Sequence, residues 1–172
     1  MRVYTAGHGA RPGAELIETL RAAGVGTVVD VRRFPSSRRH PHFGREPLAA
    51  ALAEAGIDYR HEIELGGRRT GEPGEDRFGC IQKAAFRSYA ARMSQPDWQE
   101  ALDRALAEPA PCFLCAETLW WSCHRRFIAE VLVSRGHDVV HLIKPGEHQT
   151  HRSLDEAEVR DGRLYLCGEL VA

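Results

Sequence analysis

Five side chains that can take part in acid–base or nucleophilic chemistry lie close together near the middle of the chain. They are the thiols of Cys115 and Cys123, the carboxylate of Glu117, the imidazole of His124 and the guanidinium of Arg125. The apolar residues 112–116 predict a buried strand, and residues 123–134 predict the helix that follows it. Because ligands of open α/β sheets bind at the carboxyl ends of the strands, this strand-to-helix junction indicates a functional site.

The scaffold that would position these residues is predicted from alternating short apolar runs and amphipathic segments. Predicted strands occupy residues 3–6, 27–31, 57–63, 112–116 and 139–143. Predicted helices lie at residues 12–23, 48–55, 81–93, 96–107 and 123–134. This order predicts a single α/β domain over residues 1–172, with about five main strands in a mostly parallel sheet and helices on both faces. The predicted architecture is a Rossmann-like arrangement of three layers.

Two segments do not follow this alternation. Residues 66–79 combine glycine, arginine and acidic residues without periodicity, which predicts a mobile loop. Residues 145–172 are polar and form a C-terminal extension, with a small strand predicted at residues 163–167.

The composition favours a folded protein whose net charge does not attract any particular class of binding partner. The chain has 172 residues, of which 43% are hydrophobic, and a formal net charge of -1. Such a chain is long enough for one domain with its own core. Residues 31–45, however, contain five arginines and no acidic residue. An arginine cluster of this kind can bind phosphate or carboxylate although the whole chain is nearly neutral.

The spacing of the cysteines and the hydropathy of the chain predict the cellular compartment in which the protein works. The five cysteines lack the close, regular spacing of a secreted disulfide scaffold, which favours a reducing compartment. Residues 1–12 lack the apolar core of a signal peptide, and no apolar run is long enough to span a membrane. The expectation is a cytoplasmic protein with no membrane partner, whose oligomeric state the sequence does not determine.

Several ordered motifs resemble those of a family known as domain of unknown function 488, over about the first 143 residues. The similar segments are residues 4–8, 29–32, 35–38 with Pro41 and Phe43, 56–59, 65–67, 114–117, 123–125, and 135–136 leading to His141. The resemblance implies an α/β fold and no established activity. One difference is Gly9, because the family usually has a serine there, whose hydroxyl this chain lacks.

Polar residues recur where predicted strands end and where the fifth helix begins. In a parallel sheet these positions meet at one edge, and this convergence is the main argument for a site. The predicted catalytic residues are Glu117, His8, Cys123 and His124. The predicted substrate- or anion-binding residues are Arg32, Asp30, Arg38, Arg125 and Trp121.

The arginines and the thiol each have a functional and a structural interpretation. Arg32 and Arg125 are candidate anion clamps beside the free N–H groups of a helix start. The structural alternative is an ion pair between Asp30 and Arg125.

Cys123 is a candidate nucleophile, because a helix N-terminus and a nearby guanidinium lower a thiol pKa. Its alternative is a buried small hydrophobic residue.

Glu117 is the candidate general acid or base, alone or with His8 or His124. It directly follows an apolar strand and precedes two tryptophans, so we expect partial desolvation and a raised carboxyl pKa. The alternative is a cap or a surface ion pair. Trp121 can form a wall for a flat ligand such as a base, although one of the two tryptophans is expected to fold back onto the core.

No cofactor is predicted. A zinc site at Cys115, Cys123 and His124 is kept as an alternative, although the two cysteines are farther apart than in most zinc knuckles. Cys112 and Cys115 match a C-x-x-C pattern, but residues three apart on a strand point to opposite faces. The chain contains neither a Walker loop nor a Gly-x-Gly-x-x-Gly fingerprint, which argues against ATP hydrolysis and NAD chemistry.

These residues favour an enzyme, a hydrolase or transferase, that acts on a phosphate-bearing small molecule or nucleic acid. Acid–base chemistry would take place in an anion-binding pocket at the carboxyl edge of the sheet. One alternative is a non-catalytic nucleic-acid-binding module that uses the arginine-rich loop and the tryptophans. A second alternative is a zinc-dependent enzyme.

Overall fold

The protein folds as an α/β domain in the computed structural model, which describes residues 1–172. The strands are β1 (Arg2–Gly7), β2 (Thr27–Asp30), β3 (Asp58–His61), β4 (Pro111–Cys115), β5 (Asp138–Lys144), β6 (Glu147–Thr150), β7 (Ala157–Arg160), β8 (Arg163–Leu166) and β9 (Glu169–Leu170). The helices are α1 (Gly13–Ala22), α2 (Arg45–Glu54), α3 (Ala84–Met93), α4 (Pro96–Leu106) and α5 (Arg125–Ser134).

The main sheet has six strands in the order β3-β2-β4-β1-β5-β6. Neighbouring strands from β3 to β5 are parallel, and only β6 runs antiparallel to its neighbour β5. Every residue of β2 and β4 is buried, as expected for central strands that are covered on both faces. The mostly parallel α/β fold predicted from the apolar runs is therefore confirmed.

Helices cover both faces of this sheet. Leucines of α1 and α2, such as Leu16 and Leu48, share one buried cluster with Cys112 of β4. The other cluster contains residues of α3, α4 and α5, and it includes Cys115. Burial of each such leucine contributes roughly 1.5–3 kcal/mol, so both faces are sources of stability. The three-layer arrangement is confirmed, and Cys112 and Cys115 lie on opposite faces, as strand geometry predicts.

Helix α5 begins two residues later than the sequence predicts. Residues Trp120–Ser122 form a short 3-10 turn, and Cys123 after it is extended, with φ -122° and ψ 154°. Cys123 therefore precedes the helix instead of opening it. Helix α3 likewise begins at Ala84, three residues after the predicted start.

The C-terminal extension adds β6 to the edge of the main sheet and then forms a second, three-stranded antiparallel sheet in the order β7-β8-β9. Strand β8 confirms the predicted strand, and its Leu164 and Leu166 are buried in the cluster that covers α5. Strand β7 was missed because three of its four residues are exposed and its pattern lacks apolar alternation. None of the five helices has the length and apolar character needed to cross a lipid bilayer.

The loop at residues 66–79 has a partly ordered interior. It contains a 3-10 turn, Glu75–Phe78, whose Phe78 side chain is fully buried. Just beyond the loop, Cys80 forms a disulfide with Cys167 of the C-terminal extension. The expectation of a reducing compartment did not anticipate this bond. The mobility of the loop stays a prediction.

Candidate functional site

The ends of β1, β2 and β4 meet at one edge of the sheet. Gly7 pairs with Cys115, and Asp30 pairs with Leu114, in the parallel registers of their strands. Beyond the strands, the His8 N–H still donates to the Cys115 carbonyl at 3.0 Å. The convergence that the sequence predicts is confirmed, because parallel strands deliver their carboxyl ends to the same edge.

A pocket of about 380 Å³ opens at this edge. Its walls include His8, Arg32, Arg33, Phe34, Gly67, Arg68, Phe86, Tyr89, Cys115, Glu117, Cys123 and His124. Five predicted site residues therefore share one cavity. The other four, which are Asp30, Arg38, Arg125 and Trp121, do not line it.

Asp30 and Arg32 form a buried ion pair whose arginine is part of the pocket wall. The Arg32 Nη2 lies 2.5 Å from Asp30 Oδ2, and the Tyr59 hydroxyl donates to the same oxygen at 2.7 Å. Arg32 Nη1 also donates to the Phe43 carbonyl at 2.7 Å. Asp30 has no exposed surface, and Arg32 is only 6% exposed. Most donors of Arg32 are thus occupied by internal acceptors, and the pair stabilises the end of β2.

His8 accepts a further hydrogen bond from the guanidinium of Arg32. Its ring stacks on Phe43 with centroids 4.3 Å apart, and Nδ1 donates to the Gly9 carbonyl at 2.8 Å. Nε2, 3.2 Å from Arg32 Nη1, is therefore the acceptor. Burial lowers the pKa of His8 to about 4, so the ring is neutral at neutral pH. His8 can accept a proton at Nε2 only after the hydrogen bond from Arg32 to this nitrogen is broken.

Arg125 holds the loop that carries Glu117 and does not reach the pocket. Its Nη2 donates to the carbonyls of Glu117 and Thr118, each at 2.8 Å, and the side chain is almost fully buried. The predicted alternative, an Asp30–Arg125 ion pair, does not form. A Cβ on Gly7 would lie 1.8 Å from the Glu117 carbonyl oxygen, so only glycine fits beneath this loop.

Glu117 is exposed, which makes the expectation of partial desolvation wrong. The residue lines the pocket, and its backbone carbonyl accepts hydrogen bonds from the Cys115 thiol and from Arg125. Trp120 does pack onto the core, stacked on His141 with centroids 4.4 Å apart. Trp121 is 45% exposed and lies outside the pocket, so the flat wall expected there is absent.

The cationic wall of the pocket is formed by residues that the sequence analysis did not single out. Arg33 and Arg68 line the cavity, and Arg33 Nη1 donates to the Arg68 carbonyl at 3.2 Å. Arg38 is exposed and stays outside it. The density of arginines in residues 31–45 was the available signal for Arg33. Arg68 had only the preceding Leu-Gly-Gly motif to mark it.

The two thiols inside the pocket are in direct contact. Cys115 Sγ and Cys123 Sγ are 2.8 Å apart. Burial raises the pKa of Cys115 well above its ordinary value. Burial also acts to raise the pKa of Cys123, but the hydrogen bond from Cys115 and the charge of Arg125 outweigh it and lower that pKa. Cys123 is therefore the sulfur that carries negative charge more readily, and the Cys115 thiol also contacts the Glu117 carbonyl at 3.6 Å.

His124 lies next to Cys123 and is itself held in one orientation. Its Nε2 is 3.1 Å from the Val31 carbonyl and donates to it, which leaves Nδ1 as an acceptor 3.4 Å from Cys123 Sγ. Burial lowers the pKa of His124, so the neutral ring is favoured. His124 is thus placed to accept the proton of Cys123.

A chain of buried side chains leads from Arg125 into the body of the protein. Arg125 Nη1 donates to Thr5 Oγ1 at 3.4 Å, and Thr5 Oγ1 lies 2.6 Å from His141 Nδ1. His141 Nε2 is 2.9 Å from His151 Nδ1, whose Nε2 is 2.9 Å from Glu130 Oε1. Burial lowers the pKa of His141, and the neutral ring can accept from Thr5 at Nδ1 and donate to His151 from Nε2, so these links run from the buried cation toward the buried carboxylate.

The zinc alternative is not supported by the geometry of its residues. No group of three or more His, Cys, Asp or Glu side chains is arranged to hold a metal ion. Cys115, Cys123 and His124 contact one another in a row instead of surrounding a common point.

Substitution of Gly67 by alanine is expected to destabilise the protein by about 1–3 kcal/mol, because the new methyl group overpacks a closed contact. A Cβ at Gly67 would lie 2.5 Å from His124 Nδ1. Gly79→Ala is the control, since its φ is -60° and its Cβ would meet nothing closer than 3.7 Å. Urea unfolding of both variants measures the difference. Equal stability of the two would contradict the contact.

Comparison with known proteins identifies a family and no individual relative. A family model described as "Domain of unknown function DUF488" matches residues 13–132. No curated protein and no solved structure matches the chain. The matched range contains the ends of β2 and β4 and the start of α5, and it excludes β1 and the C-terminal sheet.

Proposed function

The chain belongs to the DUF488 family, whose description assigns no activity, and we propose from its pocket that it is an enzyme with a cysteine nucleophile. The reaction class is hydrolysis or group transfer on an anionic, phosphate-bearing substrate. Cys123 attacks, His124 accepts its proton, and Glu117 exchanges protons with the substrate at the open side of the pocket.

One observation carries this proposal, namely the environment of the Cys123 sulfur. It contacts the Cys115 thiol at 2.8 Å and the acceptor nitrogen of His124 at 3.4 Å, and it faces the cavity. A nucleophilic thiol needs a neighbouring base or a lowered pKa, and this sulfur has both. Cys112 of β4 lacks such an environment, because burial raises its pKa to about 12.

The charges of the pocket favour an anionic substrate. Arg33, Arg68 and Glu117 line it, and Glu117 is exposed to solvent. Guanidinium groups bind phosphate through paired hydrogen bonds. The aromatic rings of Phe86 and Tyr89 form part of the wall and can pack against an apolar portion of the same substrate.

The nucleophile is tested by alkylation with iodoacetamide. Cys123 is expected to react at least about tenfold faster than free cysteine at neutral pH, because its thiolate fraction is larger. The Cys112→Ser variant should keep the fast phase, and the Cys123→Ser variant should lose it. A Cys123 that reacts no faster than free cysteine would overturn the proposal.

A second candidate function is non-catalytic binding of nucleic acid. It is favoured by the exposed Arg38 and Arg39 and by Phe34, which is 62% exposed, in the loop beside the pocket. Binding that depends steeply on salt would fit either function. The Glu117→Gln variant separates them, since an enzyme keeps binding and loses turnover. Binding that persists in this variant, with no turnover of nucleotides or nucleic acids by the unmodified protein, would favour the binding module.

A further inference from the structure

We propose that Cys115 and Cys123 form a reversible dithiol–disulfide couple, and that the pocket reduces small disulfides that carry anionic groups. This activity rests on Cys123 as the nucleophile, as proposed above, but it does not depend on a phosphate in the substrate. Cys115, which contacts Cys123 but does not itself react in hydrolysis or group transfer, becomes the second reacting residue.

The position of the two sulfurs is the first argument. They are 2.8 Å apart, and an S–S bond of about 2.05 Å requires them to approach by less than one ångström. Cys115 ends strand β4, and Cys123 is the extended residue just before α5. Both backbone positions are set by elements of the main core, so the thiols meet because of the fold and not because they are adjacent in sequence.

The difference between the two thiols is the second argument. A dithiol reductant needs one sulfur that attacks and a second that resolves the resulting mixed disulfide. Cys123 Sγ contacts the acceptor nitrogen of His124 at 3.4 Å, whereas the hydrogen-bond contacts of Cys115 Sγ are the Glu117 carbonyl and Cys123 itself. The fold therefore assigns attack to Cys123 and resolution to Cys115.

Access and isolation form the third argument. Cys115 and Cys123 line the cavity, together with the cationic Arg33 and Arg68, which can bind carboxylates of a disulfide substrate. The other cysteines cannot form a disulfide with Cys115 or Cys123. Cys112 lies on the opposite face of the sheet, and Cys80 is already bonded to Cys167.

The reaction balances with the disulfide as the oxidant. The Cys123 thiolate attacks one sulfur of R–S–S–R, the S–S bond breaks, and the first thiolate leaves and takes up a proton. Cys115 then gives up its proton and attacks Cys123 Sγ, which forms the Cys115–Cys123 disulfide and releases the second thiol. Two electrons pass from the protein to the substrate, and a small-molecule dithiol returns the pair to the reduced state.

The test uses the full chain with Cys112→Ser as background and the anionic disulfide 3,3′-dithiodipropionate as the probe. Each protein molecule is expected to release two small thiols and to form a Cys115–Cys123 bond. Tryptic peptide 105–125 contains both cysteines, so mass spectrometry should show the loss of two hydrogen atoms. With Cys115→Ala added, release should stop at one thiol, and the small molecule should stay attached to Cys123.

The outcomes separate the two proposals. If Cys123 reacts rapidly with iodoacetamide but the disulfide probe gives only a stable mixed disulfide, or no product, the redox couple is overturned and the nucleophile stands. If Cys123 reacts with neither reagent faster than free cysteine, the proposed function fails as well. The neutral probe bis(2-hydroxyethyl) disulfide should react at least several-fold more slowly than the anionic one. Equal rates would overturn the preference for anionic groups.

Discussion

Replacement of Asp30 by alanine is expected to lower the free energy of unfolding by about 3–5 kcal/mol, because it leaves a buried guanidinium without its partner. Asp30 is completely buried and accepts hydrogen bonds from the Arg32 side chain, the Arg32 backbone N–H and the Tyr59 hydroxyl. Removal of the carboxylate leaves all of these donors without their acceptor in a buried site.

Asp138→Ala provides the matched control for this prediction. Asp138 also pairs with an arginine, Arg2, at 2.8 Å, but the two side chains are 48% and 62% exposed. An exposed pair of this kind contributes less than about 1 kcal/mol, because water replaces the lost partner. Urea unfolding at neutral pH measures both variants. If Asp30→Ala costs no more than Asp138→Ala, the buried pair does not stabilise the end of β2 in the way described.

Acid is expected to destabilise the fold through His141. Burial, followed by the neighbouring His151 and Arg125, lowers the pKa of folded His141 from 6.5 to about 2. Between these two pKa values the unfolded chain binds a proton that the folded protein does not. The free energy of unfolding should therefore fall as the pH drops below 6.5, by about 1.4 kcal/mol for each pH unit. His8 adds a similar loss between 6.5 and about 4.

The contribution of His141 is separated by its replacement with glutamine. His141→Gln lowers stability at neutral pH, since it breaks the buried chain, but it removes one titrating group. The slope of unfolding free energy against pH should decrease by about 1.4 kcal/mol per unit below the pKa of free histidine. The unmodified protein, measured over the same pH range, gives the reference slope. An equal slope in His141→Gln and in the unmodified protein would contradict the buried neutral state of His141.

The edge of the sheet where the site lies was predictable because of chain connectivity. Short apolar runs separated by helices require parallel strands, so the residues after β1, β2 and β4 had to meet. His8, Arg32, Glu117, Cys123 and His124 accordingly share the pocket. The alternation of apolar residues is a local property of each segment. It does not depend on the tertiary structure, and the elements could therefore be predicted from it.

The direction of each side chain was not predictable in the same way. Arg125 and Cys123 lie two residues apart, yet the guanidinium turns into the protein and the thiol faces the cavity. This outcome depends on the 3-10 turn at Trp120–Ser122 and on carbonyls of the loop before it, which form hydrogen bonds with Arg125. Spacing in the sequence contains no information about which acceptor lies nearest in space.

The sequence by itself determined the α/β order of elements and the group of polar residues at the strand ends, because both follow from periodicity and strand direction. Only the tertiary structure decided that Asp30 binds Arg32 and that Cys115 contacts Cys123 at 2.8 Å. It also decided that Arg33 and Arg68 form the cationic wall. These contacts join residues whose separation is set by packing across the sheet and by the turns at its edge, which local patterns do not specify.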